Sequence, residues 1–238
     1  MIKIGLCGLG FSAKEQFGKD WRKKYTSKLQ GFATKFPVLE INTSFYKIPS
    51  EKTAKKWRKE ADVVNKKFEF VLKMYQGITH FDKFGSQKSI KWFNACKKIA
   101  KILKAKILLF QTPASFKPTE KNILKAKKFF KKIKRDKFAL FWEVRWEKDW
   151  PQKIVKPLFK ELKINQVIDP FRFKDYYGRT CYYRLHGMGK FNMYMYKFSK
   201  KELKTLIPRI PKKSSYIMFN NAWMYENAEE LKEMLEEQ

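Results

Sequence analysis

The chain of 238 residues is 44% hydrophobic and 17% aromatic, which is enough apolar material for one large core. It has no Pro/Gly/Ser-rich linker, so a single domain over residues 1–238 is expected. The longest apolar runs, such as ILLF at 107–110, are too short for a transmembrane helix, and no membrane partner is expected. Three widely spaced cysteines form no CxxC pair. This spacing excludes a cysteine-based zinc or iron–sulfur cluster and indicates a reduced, cytoplasmic protein.

The formal net charge of +31 has two interpretations. Lysine and arginine neutralise phosphates and release counterions, so a large excess is typical of nucleic-acid-binding proteins. Lysines on the solvated faces of helices, in a lysine-biased or heat-adapted protein, give the same charge. The runs with helical spacing opposite apolar residues are Lys97, Lys98, Lys101 and Lys104, and then Lys121, Lys125, Lys128 and Lys132. This spacing favours solvated helix faces, but the charge alone does not identify a partner.

Short runs rich in β-branched and aromatic residues alternate with amphipathic helical patterns along the chain. In chain order, the predicted strands are 2–8, 38–44, 68–74, 105–111, 138–145, 165–170, 180–187 and 215–221. Ser50 and Thr119 precede two of the helical patterns, as N-caps do. The segments 199–202 and 227–230 match the capping-box pattern, which predicts that helices begin there as well.

Repeated strand–helix alternation over a chain of this length is the pattern of a TIM-type (β/α) barrel with about eight parallel strands. One unit departs from it, because only the segment 170–179 separates the sixth and seventh strands. That connection is too short for a normal helix, so a short or missing helix is expected there. A doubly wound open sheet is the alternative, and the closed barrel is favoured.

Polar side chains collect where the predicted strands end, which in a TIM barrel is the face that carries the active site. The candidate residues are Glu40, Asn42, Tyr46, Lys73, His80, Gln111, Glu143, Arg145, Asp169, Arg184, His186, Asn220 and Asn221. Three of the predicted strands each carry two candidate residues with one residue between them. The two side chains of such a pair point to the same face of the strand. Each of these residues also has a structural interpretation. The amide residues, Asp169 and His80 can cap loops, and Glu143 and Arg145 can form an internal ion pair.

The motifs EINTSFYKIPS, ITHFDKF, LLFQTPASF, FWEVRWEKDW, YYRLHG and MFNNAWMYENA resemble, in this order, those of the YecE-like family of TIM-barrel proteins, also called domain of unknown function 72. The resemblance covers essentially the whole chain. It implies the barrel fold and a set of polar residues at the strand ends, namely the candidates above together with Thr79, but no established reaction. The first motif departs from the family's Gly-Trp-Ser-Tyr type, because this chain has GLCGLGFS. An aromatic role there must fall to Phe11 or be absent.

The candidate residues support acid–base or hydrolytic chemistry on an anionic substrate, either phosphorylated or derived from nucleic acid. Arginines suit bidentate binding of a carboxylate or phosphate, and a lysine adds a point charge. His186 is the expected proton carrier, and Glu143, Asp169 and Glu40 are the expected catalytic carboxylates. The expected substrate-binding residues are Arg184, Arg145, Lys73, Asn42, Tyr46, His80, Gln111, Asn220 and Asn221. No cofactor is predicted. Two histidines are too few for a multi-zinc nuclease site, while a Mg²⁺ or Mn²⁺ site built from carboxylates stays an alternative.

A non-catalytic nucleic-acid-binding protein is the second hypothesis. The segments 142–150, 170–179 and 188–198 interleave aromatic residues with lysine and arginine, a combination that can stack bases and bind phosphates. The same rings can simply pack over the barrel mouth. If they bind nucleic acid, affinity should fall with salt and with changes at Arg172, Lys174 or Lys190. A catalyst needs Glu143, Arg145, Arg184 and His186 convergent and partly exposed in one pocket. The same residues sealed beneath the loops, with every group internally paired, favour a structural role and shift weight to this second hypothesis.

Overall fold

The computed structural model describes residues 1–189, 191–212 and 214–237. Its strands occur close to the predicted runs, and most are shorter at the carboxyl end. They are β1 (Ile2–Cys7), β2 (Val38–Ile41), β3 (Glu69–Lys73), β4 (Ile107–Gln111), β5 (Ala139–Glu143), β6 (Asn165–Val167), β7 (Cys181–Leu185) and β8 (Ser215–Phe219). Several predicted site residues therefore lie just after a strand rather than inside it.

The eight strands form one parallel sheet in the order β6-β5-β4-β3-β2-β1-β8-β7. The two outer strands meet through a single parallel bridge between Ile168 and Tyr183. Two backbone hydrogen bonds support this junction: Ile168 donates to the Tyr182 carbonyl over 3.2 Å, and Arg184 donates to the Ile168 carbonyl over 2.9 Å. The sheet is thus a nearly closed barrel, and the predicted TIM-type fold is confirmed.

Helices cover the outside of the barrel between most successive strands. They are α1 (Ala13–Phe17), α2 (Trp21–Lys24), α3 (Lys28–Lys35), α4 (Glu51–Val64), α5 (Gln87–Ile102), α6 (Glu120–Lys132), α7 (Gln152–Leu162), α8 (Lys200–Leu206) and α9 (Met224–Glu236). Ser50 and Thr119 cap α4 and α6 as predicted, and Ser199 forms a full capping box with Glu202 on α8. Between β6 and β7, residues 168–180 form turns and bends without a helix, also as predicted.

The predicted helix start at Asn227 is wrong, because α9 begins three residues earlier, at Met224. Asn227 lies inside the helix with its side chain fully buried. Its Oδ1 accepts a hydrogen bond from the Phe198 amide over 3.0 Å, and its Nδ2 donates to the Phe198 carbonyl over 2.9 Å. The residue that resembled an N-cap therefore uses its amide to anchor the segment before α8.

Apolar side chains form two layers, one inside the barrel and one outside it. The inner layer fills the barrel lumen with Cys7, Val38, Val71, Ile107, Leu109, Phe141, Val167, Tyr182, Tyr216 and Met218. The outer layer lies between the sheet and the helices and is rich in phenylalanine and tryptophan. Phe11 belongs to the outer layer, where its ring packs against Phe17, Phe32 and Tyr225. It therefore contributes to the core.

The lysine-rich helix faces are largely exposed, and several of these lysines pair with carboxylates of neighbouring helices. Lys98 of α5 contacts Glu51 of α4 at 2.5 Å, and Lys127 and Lys131 of α6 contact Glu161 of α7, each at 2.6 Å. Exposed pairs of this kind stabilise a fold only slightly, by roughly 0–1 kcal/mol each. Within the described part of the chain, no helix is long and apolar enough to cross a bilayer.

Candidate functional site at the barrel mouth

Arg184 is the centre of the polar cluster at the carboxyl ends of the strands. It is the fourth residue of β7, it points into the lumen, and its side chain is fully buried. Its Nε and Nη2 donate to the two oxygens of Glu40 over 3.1 and 2.9 Å, which is a bidentate ion pair. Its Nη1 donates to Glu143 over 2.5 Å and reaches the Gln111 Oε1 at 3.5 Å. One guanidinium thus links carboxylates from β2 and β5 across the barrel.

Glu143 continues the chain of charges toward the mouth. Its Oε1 accepts from the Arg145 Nε and Nη2 over 3.0 and 2.9 Å. Burial alone would raise the pKa of this carboxyl, but the positive charges of Arg184 and Arg145 outweigh burial and hold the pKa well below its usual range. Burial likewise opposes the charge of Arg184, and the two carboxylates raise its pKa well above the ordinary value. The four groups form an alternating, buried ionic chain.

Tyr182 and Cys7 lie beneath this chain. The Tyr182 hydroxyl donates to the Glu40 Oε2 over 2.8 Å, so Glu40 accepts three hydrogen bonds in a fully buried position. Cys7 pairs in register with Glu40, and burial together with the Glu40 charge raises the pKa of its thiol far above the ordinary value. The thiol is therefore protonated at neutral pH and packs as a small apolar group.

His186 is a neutral imidazole held between a carboxylate and two guanidinium groups. Its Nδ1 lies 3.2 Å from the Asp169 Oδ2, and its Nε2 lies 3.3 Å from both the Arg145 Nη2 and the Arg184 Nη1. Guanidinium groups only donate, so Nε2 accepts and Nδ1 carries the proton. Burial lowers the pKa of His186, and the two arginines lower it further against Glu143 and Asp169. The side chain is only 1% exposed, and its ring also packs edge-on against Tyr194, with the ring centres 5.8 Å apart.

Lys73 has a different setting at the end of β3. Its side chain is 5% exposed, its Nζ donates to the Asn42 Oδ1 over 3.0 Å, and the same atom lies 4.2 Å from the centre of the Phe45 ring. No carboxylate of the described residues lies within ion-pair distance of it. Burial and the charge of Arg184 lower the pKa of Lys73 to about 7, although Glu40 and Glu143 act in the opposite direction.

His80 and Tyr46 form the rim next to Lys73. His80 packs edge-on against the Phe45 ring at 4.9 Å, and its Nδ1 lies 2.9 Å from the Thr79 hydroxyl. Burial and the positive charges of Lys73 and Arg145 lower the pKa of His80 to about 4, so this imidazole is also neutral at pH 7. Tyr46 packs edge-on against the same Phe45 ring at 5.2 Å and is exposed to solvent.

The remaining predicted residues divide between the cluster and its surroundings. Gln111 is buried against Arg184, while Asn220 is half-buried and its backbone amide bonds to the Leu185 carbonyl. Asn221 is not brought to the cluster. Its Nδ2 donates to the Tyr196 carbonyl over 2.7 Å and to the Asn227 Oδ1 over 2.9 Å, which places it in the anchor of α9.

The structure adds residues that the strand-end search did not include. Tyr182 lies two residues before Arg184 and four before His186, so strand alternation places its side chain on the same face. The pattern YYRLHG was therefore sufficient to predict this position. Arg172 comes from the β6–β7 connection, where its Nη2 donates to the Gly187 carbonyl over 2.8 Å. The guanidinium groups of Arg145 and Arg172 lie 4.9 and 5.4 Å from the Trp146 ring. A cavity of about 650 Å³ beside them is lined by Trp146, Glu147, Lys148 and Arg172.

The cluster is therefore convergent but mostly sealed. Glu143, Arg145, Arg184 and His186 lie within hydrogen-bond reach of one another, yet only Arg145 shows appreciable surface, at 9% exposure. Lys73, Arg145 and His80 lie toward the rim, and each keeps some exposed surface. Within the described ranges, no group of three or more His, Cys, Asp or Glu side chains is arranged to hold a metal ion.

Comparison with known proteins identifies relatives along the full length. Residues 3–238 match the family model described as "Protein of unknown function DUF72". The UPF0759 protein YunF of Bacillus subtilis is 33% identical over 131 residues, which are 52% of this chain and 44% of that protein, so the match spans less than half of its length. A DUF72 family protein of Enterococcus faecalis has a TM-score of 0.77 at 22% identity, with 99% of this chain and 96% of that chain covered.

Two enzymes of other families share the fold at low identity. D-psicose 3-epimerase of Clostridium cellulolyticum has a TM-score of 0.60 at 11% identity, and 98% of each chain is covered. Endonuclease IV of Thermus thermophilus has a TM-score of 0.58 at 11% identity, with 99% of this chain and 100% of that chain covered. Likeness at this level concerns the barrel and not its chemistry.

Proposed function

The chain belongs to the DUF72 family, and we propose that it binds an anionic substrate at the carboxyl-end mouth of its barrel and acts on it by acid–base or hydrolytic chemistry. The substrate is a phosphorylated or nucleic-acid-derived compound. One observation carries the proposal: Lys73 is a buried cation without a carboxylate partner among the described residues, whereas Glu40, Glu143 and Asp169 are already engaged by other groups.

The ionic chain and the rim have separate roles in this proposal. Lys73 and Arg145 receive the anionic group, because their side chains keep some exposure, at 5% and 9%, whereas Arg184 is fully buried. His80, neutral and partly exposed, exchanges protons with the substrate. Glu143, Glu40 and His186 are positioning residues, since their polar atoms contact Arg145 or Arg184. Asp169 is one as well, because it holds His186 in turn. His186, expected from the sequence to be the proton carrier, acts here through Arg145.

Binding is tested with inorganic phosphate as the probe. Phosphate should raise the thermal midpoint of the protein relative to chloride at equal ionic strength, because a ligand that binds only the folded state stabilises it. Arg145→Lys and Lys73→Met should abolish the shift. Arg22→Lys is the matched control, since Arg22 is exposed and its guanidinium packs on the Trp21 ring. A wild-type protein that phosphate does not stabilise would contradict the proposal.

Chemistry is tested with two sets of compounds, chosen because the barrel's fold neighbours act on sugars and on nucleic acid. Nitrophenyl phosphate mono- and diesters report hydrolysis by absorbance. Phosphorylated aldoses and ketoses in D₂O report acid–base chemistry, since abstraction of a proton next to a carbonyl leads to deuterium exchange that NMR detects. Activity in either set should fall by about 10²-fold or more in His80→Gln, which removes a general acid–base group. Activity unaffected by His80→Gln and Lys73→Met would place the chemistry elsewhere.

The nucleic-acid-binding hypothesis is kept as a second candidate because Glu143, Arg184 and His186 are almost completely buried and because of the loop after β7. Phe191 is fully exposed and Met195 is mostly exposed, and the exposed Lys197 lies on the same segment. The bases of a single-stranded nucleic acid stack on exposed aromatic rings that lie beside cations. In this hypothesis labelled oligo(dT) binds with an affinity that falls steeply with salt, and Phe191→Ala weakens it while Leu124→Ala, an exposed apolar control on α6, does not.

Arg172 and Lys174 are the described cations whose removal should lessen the salt dependence. Lys190, the third cation expected to contribute, lies outside the described residues. Affinity that does not change with salt would refute this second candidate, and it would leave the proposal for the barrel mouth untouched.

A further inference from the structure

The amine of Lys73 has few partners for a buried lysine. An ammonium group has three N–H donors, and in the described structure one of them is bonded, to Asn42. Other neighbours of Nζ include the face of Phe45 at 4.2 Å and, beyond ion-pair distance, the guanidinium of Arg184 and the carboxylates of Glu40 and Glu143. Lys3, at the opposite end of the same lumen, is the useful contrast, because its Nζ forms a 2.9 Å ion pair with Glu69.

Burial without a counter-ion favours the neutral amine, which is the nucleophilic form of lysine. At pH 7.5 a lysine with a pKa of about 7 has roughly 600-fold more neutral amine than one with the reference pKa of about 10.4. The Phe45 face favours the ammonium to some extent, since aromatic faces attract cations. The absence of a carboxylate partner among the described residues nevertheless leaves the charged form poorly supported in this position.

We propose that Lys73 is a catalytic residue that forms an imine with the carbonyl group of an anionic aldehyde or ketone held by Arg145. This inference rests on the proposed function, because it places the substrate's anionic group at the same mouth. It deepens that function by naming the substrate class, a phosphorylated or carboxylated carbonyl compound, and the covalent step.

The step balances without an oxidant or reductant. The Nζ lone pair forms a bond to the carbonyl carbon, and a proton moves from nitrogen to oxygen to give a carbinolamine. One further proton, taken from solvent or an acid group, converts the hydroxyl into water, which leaves as the C=N bond forms. The products are a protonated imine and water. His80, which packs on the same Phe45 ring, is neutral and can then accept a proton from the carbon next to the imine.

The test uses pyridoxal 5′-phosphate, an aldehyde with a phosphate arm, at less than one equivalent of the wild-type protein at pH 7.5. Reduction with borohydride fixes any imine as a stable secondary amine, and peptide mass spectrometry locates it. The label should appear on Lys73 in at least tenfold excess over Lys3, since Lys3 is held in an ion pair with Glu69 whereas Lys73 has no carboxylate partner among the described residues. Excess inorganic phosphate should reduce labelling of Lys73 and not of exposed lysines.

Two variants sharpen the result. Lys73→Arg keeps a cation and cannot form an imine, so its labelling at the mouth should disappear while phosphate still raises its thermal midpoint. Lys3→Arg is the matched control and should label like the wild type. Label spread over surface lysines with Lys73 unmodified overturns the imine. If phosphate still stabilises the protein in that case, the anionic site survives and only the covalent step is wrong. If it does not, both proposals fail.

Discussion

Removal of Arg184 should destabilise the fold more than the loss of an ordinary buried side chain. Arg184→Met leaves Glu40, which is fully buried, with one remaining donor, the Tyr182 hydroxyl. Glu143 loses one donor but keeps its two bonds from Arg145. The cost therefore arises mainly at Glu40. Breaking a buried pair by removing one partner costs about 3–5 kcal/mol, because the other charge stays buried and unpaired.

A second variant separates the charge from the packing. The double variant Glu40→Gln/Arg184→Met removes both charges of the pair, and the amide oxygen introduced at position 40 can still accept from the Tyr182 hydroxyl. It should regain about 2 kcal/mol relative to Arg184→Met, since neutral replacement of a buried pair is often nearly neutral in energy.

Urea unfolding followed by circular dichroism measures both differences. For a chain of this length a loss of about 3–5 kcal/mol corresponds to a fall in the thermal midpoint of roughly 10 °C. A single variant that loses less than about 1 kcal/mol would refute the reasoning, because burial of an unpaired carboxylate is its premise. So would a double variant that is no more stable than Arg184→Met.

Three further predictions concern neighbouring groups. The pKa of Glu143 is lower in the folded protein than in the unfolded chain, where it is about 4.3, so its contribution to stability is complete above pH 4.3 and decreases as the pH falls below that value. The free energy of unfolding should therefore fall less between pH 6 and pH 3 in Glu143→Gln than in the wild type. The pKa of Lys73 is about 7 in the folded protein and about 10.4 in the unfolded chain, so between these values the unfolded chain binds the extra proton. The free energy of unfolding of the wild type should therefore rise between about pH 7 and 10 relative to that of Lys73→Met. Asn227→Ala should cost about 1–3 kcal/mol and speed hydrogen exchange at the Phe198 amide, which loses its acceptor.

The sequence was sufficient to predict the barrel and which strands would bring polar groups to its mouth. The parity of 40/42, 143/145 and 184/186 follows from the twofold alternation of strands, and the structure places Glu40, Glu143 and Arg184 within one ionic chain. Their pairing could not be predicted. Which carboxylate Arg184 meets depends on how the strands close around the lumen, and local pattern does not contain that distance.

The less successful expectations concern residues just beyond the strand ends. Asn221 follows β8, which ends at Phe219, so strand alternation no longer fixes the direction of its side chain. The buried amide of Asn227 draws it toward α9 instead. The burial of His186 could not be predicted either. It depends on loop contacts, namely the Tyr194 ring that packs on the imidazole and the Gly187 carbonyl that accepts a hydrogen bond from Arg172. Loops follow no period, and their packing is set by contacts distant in sequence.

The balance of charge at the mouth decides which ligands it can accept. Glu40 and Glu143 are matched by Arg184 and Arg145, and Asp169 lies 3.7 Å from Arg172 besides bonding His186. A cationic ligand would have to displace one of these bonds to find a carboxylate, which costs a buried charge its partner. An anion meets no such cost at Lys73, where it supplies the missing counter-ion and would raise the pKa of the amine. Under the proposed function, ligands with a negative arm should therefore bind more tightly than neutral or positively charged analogues, and the preference should be greatest below pH 7, where Lys73 is protonated.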